Sequence, residues 1–162
     1  MRVYRGGYVA VNSQLLTGKS TMKQSAKTSG YSGTPLAKKL GIKSNFRVRL
    51  VNQPDHYFDL FTDLPEDLKV VTDRKSKKNL IHYFTTSASR LESDIKQLRN
   101  EIEEDGSIWI SWPKLSANLK TDLNENIVRD IALRNKLVDV KVCAVDETWS
   151  ALKLVIRLKD RK

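Results

Sequence analysis

Apolar positions recur along this chain in two rhythms, and the changes between them predict an alternation of helices and strands from about residue 33 onward. Gly33-Thr34-Pro35 opens a short helix, with Thr34 as its cap and Gly41 at its end. Phe46, Val48 and Leu50 alternate, predicting a strand over residues 46–51 with Arg47 and Arg49 on its other face. That face is then partly open, or the arginines reach an acidic partner. A helix capped by Asp55 is expected over 56–62, carrying Tyr57, Phe58, Leu60 and Phe61, with Leu64 beyond it. Short strands follow at 68–72 and 80–84, joined by the basic linker 73–78, which is too short for a crossover helix. An extended return that leaves the two strands parallel is expected in preference to a hairpin.

Ser89-x-x-Glu92 reads as a capping box for a helix that carries Leu91, Ile95, Leu98 and Ile102 and ends near Asp105-Gly106. Residues 107–112 form the next strand, stopped by Pro113. Asp122-x-x-Glu125 opens a second boxed helix, with Leu123, Ile127, Val128, Ile131 and Leu137 facing inward. Strands at 138–145 and 152–158 are joined by DETWSA, a turn that forces them antiparallel. The fold class expected is α/β: a Rossmann-like, methyltransferase-type, mainly parallel sheet ending in an antiparallel C-terminal hairpin.

Composition narrows the class. No apolar run approaches the roughly 20 residues of a membrane helix. Residues 1–16 carry no secretory signal, and the single cysteine, Cys143, fits a reducing compartment, so the cytoplasm is expected. One cysteine and two histidines, His56 and His82, are too few for a structural zinc site. Of the net charge of +10, residues 1–45 contribute eight basic side chains and no acidic one, against 21 basic and 19 acidic afterwards. The excess therefore reads as a property of the N-terminal segment, and nucleic acid is not expected as a partner beyond weak contacts of that tail. Residues 1–30, rich in Ser, Thr, Lys and Gly, are expected to be a disordered basic extension preceding one domain at 31–162, with Met22 as an alternative start.

YSGTPLAKKLGIK at 31–43, RLVN at 49–52 and the whole stretch 107–158 resemble a bacterial family, domain of unknown function 3052. The resemblance implies the fold and brings no activity with it.

A dinucleotide- or adenosyl-binding sheet usually turns on glycine after its first strand, so that the backbone can approach the ligand. Here that turn reads VNQPDHYF, without glycine, and no cofactor is expected. Ligands of open α/β sheets bind beyond the carboxyl ends of the strands. The loops at 52–55, 85–87, 112–114 and 146–149 should lie there. The candidate ligand-binding residues are Asn52, Trp112, Pro113, Lys114, Asp146, Glu147 and Trp149. Trp112 would give apolar contact, Lys114 would meet an anion, and Asp146 or Glu147 a cation; alternatively Lys114 pairs with one of those carboxylates and the indoles wedge the loops together. Cys143 and His82 read as core residues and His56 as exposed, and no catalytic residue is assigned. The expected function is a non-catalytic ligand- or protein-binding or regulatory domain with a degenerate cofactor loop, its partner an unidentified small molecule or protein. The alternatives are a small-molecule enzyme on a methyltransferase-like scaffold and a weak, non-specific nucleic-acid binder.

Overall fold

The computed structural model describes residues 8–10 and 33–162. In chain order the elements are β1 (Tyr8–Ala10), α1 (Leu36–Leu40), β2 (Arg47–Val51), β3 (Lys69–Val71), β4 (Lys78–Phe84), α2 (Ala88–Glu101), β5 (Ile102–Pro113), α3 (Glu125–Arg134), β6 (Leu137–Ala144) and β7 (Trp149–Ile156). The described strands make one sheet in the order β1-β3-β2-β4-β5-β7-β6. β3, β2, β4 and β5 are parallel; β7 runs antiparallel to both β5 and β6. The α/β class, the parallel body and the antiparallel C-terminal pair are as the periodicity indicated. The linker at 73–78 indeed returns its chain for a parallel strand, and β2 lies between β3 and β4.

Alternation divides the core into two layers. Val48, Leu80, Phe84 and Trp109 face α1 and the loop carrying Tyr57 and Phe61. Ile81, Tyr83, Ile108 and Ile110 face α2 and α3, where Leu91, Ile95, Leu98, Val128 and Ile131 are buried. Each of those helix side chains contributes roughly 1.5–3 kcal/mol by leaving water.

Several local expectations change. Thr34 does not cap α1; the amides of Ala37 and Lys38 donate instead to the Asp63 carboxylate, 3.2 and 3.1 Å away. Residues 56–62 make only a 3₁₀ turn at Tyr57–Leu60, and Asp55 caps nothing. Ser87 caps α2 in place of Ser89, accepting from the Arg90 amide, and Asn124 caps α3 in place of Asp122. The Asp122 carboxylate accepts from the amide of Ala88 at 2.8 Å, fastening the start of α2 to the loop before α3.

α2 stops at Glu101, not at Gly106, because Ile102 is taken into β5 opposite Lys78. The strands then shift register, so that Leu80 faces Ser107. Gly106 sits in this bulge, where a Cβ would lie 3.0 Å from the Lys78 carbonyl oxygen. Tyr8–Ala10, inside the segment expected to lie outside the fold, pairs antiparallel with β3. The rest of that extension, Met22 included, lies outside the described residues.

Arg49 does find an acidic partner. Its Nη1 lies 2.9 Å from both oxygens of Glu101, and Lys78 Nζ lies 3.1 Å from one of them. Glu101 and Lys78 side chains are wholly buried. Truncating one member of such a cluster strands a buried charge. Glu101→Ala should lower the unfolding free energy by about 3–5 kcal/mol in urea titrations. Replacing all three charges together, Arg49→Met and Lys78→Met with Glu101→Leu, should recover most of that loss.

Candidate functional site

β2 leads to β3 on one side and β4 lies on the other, so the strand order reverses between β2 and β4. A crevice is expected outside the carboxyl ends at such a switch. One is present there, a cleft of about 390 Å³ lined by Asn52 after β2, Thr85, Thr86 and Ser87 after β4, and Arg90 on α2. Phe84 and the Trp149 ring complete it.

Each side of the cleft has a local cause. Asn52 takes φ 58°, in the left-handed region that lets the chain bend sharply, and its Nδ2 donates to the Phe84 carbonyl at 3.3 Å. The ends of β2 and β4 are thereby tied together. Thr85 donates its amide to the Ser111 carbonyl at 3.0 Å, and its Oγ1 accepts from the Ser87 amide. Ser87 then caps α2, so the positive end of a 14-residue helix opens on the cleft and carries the exposed Arg90.

The floor is aromatic. Trp149 meets Phe84 edge-on at 5.1 Å, and Phe84 stacks on His82 at 4.3 Å. His82 is fully buried between the Tyr57 hydroxyl, 2.9 Å from Nδ1, and the Ser111 hydroxyl, 2.7 Å from Nε2. Burial holds the imidazole neutral, with its pKa lowered to about 3, and pushes the Tyr57 phenol up. His82 is thus the satisfied core histidine its apolar strand suggested.

The other candidates separate. Trp112 and Trp149 belong to neighbouring strands, yet Trp112 packs in the layer of α2 and α3 and Trp149 against the layer of α1. They do not share a pocket. Trp112 and Pro113 line a second cleft of about 390 Å³ with Leu115, Thr121 and Leu123. A seam divides the two clefts, where Thr121 Oγ1 donates to the Thr86 carbonyl at 2.7 Å. The loops at 112–114 and 146–149 do meet, through the Lys114 amide and the Thr148 carbonyl at 2.8 Å.

Asp146 is buried and shapes its turn. Oδ1 accepts from the amides of Thr148 and Trp149, and Oδ2 lies 3.0 Å from His56 Nε2. Glu147 is exposed. Cys143 is half-buried, and burial raises its thiol pKa, which suits a packing residue. Arg90 was not singled out from the sequence. Either cap puts it in the first turn of α2; its importance emerges only when the fold sets that turn beside the cleft.

No protein-family model and no curated protein matches the chain. Solved structures do. A SAM dependent methyltransferase from Aquifex aeolicus superposes with TM-score 0.59 at 11% identity, over 88% of this chain and 98% of that one. Magnesium protoporphyrin IX methyltransferase from Synechocystis PCC 6803, with bound SAH, gives TM-score 0.52 at 10% identity, over 87% and 84% of the two chains. An O-methyltransferase of neocarzinostatin biosynthesis, in complex with S-adenosylmethionine and a naphthoic acid, gives 0.54 at 10% identity; the match covers 90% of this chain and only 59% of that enzyme. The fold is therefore the methyltransferase-like form of the Rossmann α/β sheet. These likenesses correct the expectation of a non-catalytic binding or regulatory domain and favour its alternative, a small-molecule enzyme on this scaffold.

The buried imidazole makes the site's support sensitive to acid. Its folded pKa lies below the ordinary value of about 6.5, so the unfolded chain binds the proton first. Stability is complete above about pH 6.5 and should fall as pH drops toward 3, by up to about 1.4 kcal/mol per pH unit from this group. Urea titrations between pH 7 and 4.5 should show this loss, and His82→Gln should flatten it.

Proposed function

We propose that the protein is a small-molecule enzyme on its methyltransferase-like scaffold, and that the switch-point cleft takes S-adenosylmethionine. The carrying observation is the cleft itself, set at the order reversal and bounded by the left-handed Asn52 turn. A volume of about 390 Å³ lies within the usual range for small-molecule sites, roughly 300–1,000 Å³.

The lining fits the ligand's parts. Arg90 and the positive end of α2 suit an amino-acid carboxylate. The half-buried Trp149 indole offers a flat apolar contact to a nucleoside base. Asn52 and the hydroxyls of Thr85 and Ser87 supply neutral hydrogen-bonding groups around it. When bound, S-adenosylmethionine supplies an activated methyl group for a nucleophilic acceptor. In the glycine-free turn after β2, Asn52 takes the positive φ of a sharp bend and its amide side chain, not bare backbone, would meet the ligand. Among the described residues no helix is long and apolar enough to cross a membrane. The resemblance to domain of unknown function 3052 is compatible with the proposal and adds no chemistry to it.

Titration calorimetry with S-adenosylmethionine and S-adenosylhomocysteine tests it. Both should bind, and Arg90→Ala should weaken both by about tenfold or more, as expected for loss of a charge-assisted hydrogen bond worth roughly 1.5–3 kcal/mol. Absence of heat and of thermal stabilisation with either ligand would refute the reading.

A further inference from the structure

Away from both clefts, four lysines gather where α1 meets the β6–β7 end of the sheet. Lys39 Nζ donates to the Ala144 carbonyl at 3.1 Å, and Lys141 Nζ to the Lys39 carbonyl at 3.0 Å. Lys153 lies directly opposite Lys141 in the β6–β7 ladder, and its Nζ approaches to 3.6 Å from where a Cβ on Gly41 would stand. Lys43 follows two residues later and acts on Lys153.

The cluster is not neutralised by the nearby acids. Asp139, on the same strand as Lys141, is taken by Arg129 at 3.0 Å, and Asp63 is taken by the amides of α1. Burial lowers the pKa of Lys153, and the charges of Lys141 and Lys43 lower it further. Like charges directly opposed across two strands destabilise the pair. Lys38, Lys39 and Lys43, counted above with the basic N-terminal segment, belong to the folded body.

We infer that this edge of the fold, formed by Lys39, Lys43, Lys141 and Lys153, is a docking surface for the phosphate backbone of a nucleic acid. β6 is the last strand of the sheet, so the row is open to an extended partner. Each ammonium has three donors, and one carbonyl bond on Lys39 or Lys141 leaves others for phosphate. None of the four lysines lines either cleft, and their spread over a helix, a loop and two strands suits a chain of phosphates better than a single ion. Lysine point charges without base-reading groups make the contact independent of sequence. The inference does not depend on the methyltransferase reading.

Fluorescence anisotropy of the full chain with a labelled duplex of about 20 base pairs, at 50 and 200 mM salt, is the test. Four neutralised phosphates predict a log–log salt slope near −3 to −4. Lys141→Gln with Lys153→Gln should make that slope shallower by about two and weaken low-salt binding at least tenfold. Lys141→Arg with Lys153→Arg should retain binding, and circular dichroism should show all variants folded. The inference is overturned if the duplex does not bind, or if the Gln pair leaves the slope unchanged. It is equally overturned if only Lys19→Gln, Lys23→Gln and Lys27→Gln abolish binding, or if pyrophosphate alone competes at a single salt-insensitive site.

Discussion

The buried carboxylate of Glu101 holds together elements on which the cleft depends. It receives Arg49 from β2, Lys78 from β4 and Gln97 from within α2, and the chain turns from α2 into β5 immediately after it. A lysine as deeply buried as Lys78 is tolerable only with such a counter-charge. The ladder above it runs Val51 against Tyr83 and Phe84 against Ser111. Register errors at Arg49 and Lys78 would therefore displace Asn52 and Thr85 at the carboxyl ends, about 10 Å and about 23 Å away at roughly 3.3 Å per residue.

The cleft in turn has a rigid base. His82, Phe84, Tyr57 and Trp149 form a chain of ring contacts, and both imidazole nitrogens are engaged. A ligand meeting Trp149 or the Thr85 loop thus meets groups already ordered by the core, which limits the entropy lost on binding. The left-handed turn at Asn52 belongs to the same economy of motion. An L-residue there costs roughly 1–2 kcal/mol, less for asparagine, and its amide bond to Phe84 offsets part of that.

Legibility followed the range of the physics. Two-residue alternation revealed the strands because burial imposes it locally, and the short turn before Trp149 forced the antiparallel pair. Spacing alone misplaced the caps: Ser89 and Asp122 satisfy a motif, but Ser87 and Asn124 stand where the orphan amides are. Glycine was sought after β2 so that backbone could approach a ligand, whereas the turn there takes its positive φ at Asn52 and turns that side chain to the cleft. Trp112 and Trp149 looked like one site because their loops adjoin; the parity of their strands sends the rings to opposite layers. Glu101 could not be singled out from the sequence, since its partners Arg49 and Lys78 lie 52 and 23 residues away.

The two layers are unequally covered, and that inequality explains what the sheet's far edge can hold. α2 and α3, of 14 and 10 residues, cover one face, while α1 has only five residues to cover the other. β7 records the difference along a single strand. Its residues toward α2 and α3, Leu152, Leu154 and Ile156, are all buried and apolar. On the alternate positions Ala151 is buried beneath the aromatic floor, but Lys153 and Val155 are only partly covered. Beside the end of α1 at Gly41, a lysine stem can pack while its ammonium stays near water. The switch-point cleft therefore lies where the α1 layer is dense and aromatic, and the lysine edge lies where α1 ends. Each place has the chemistry that its cover permits.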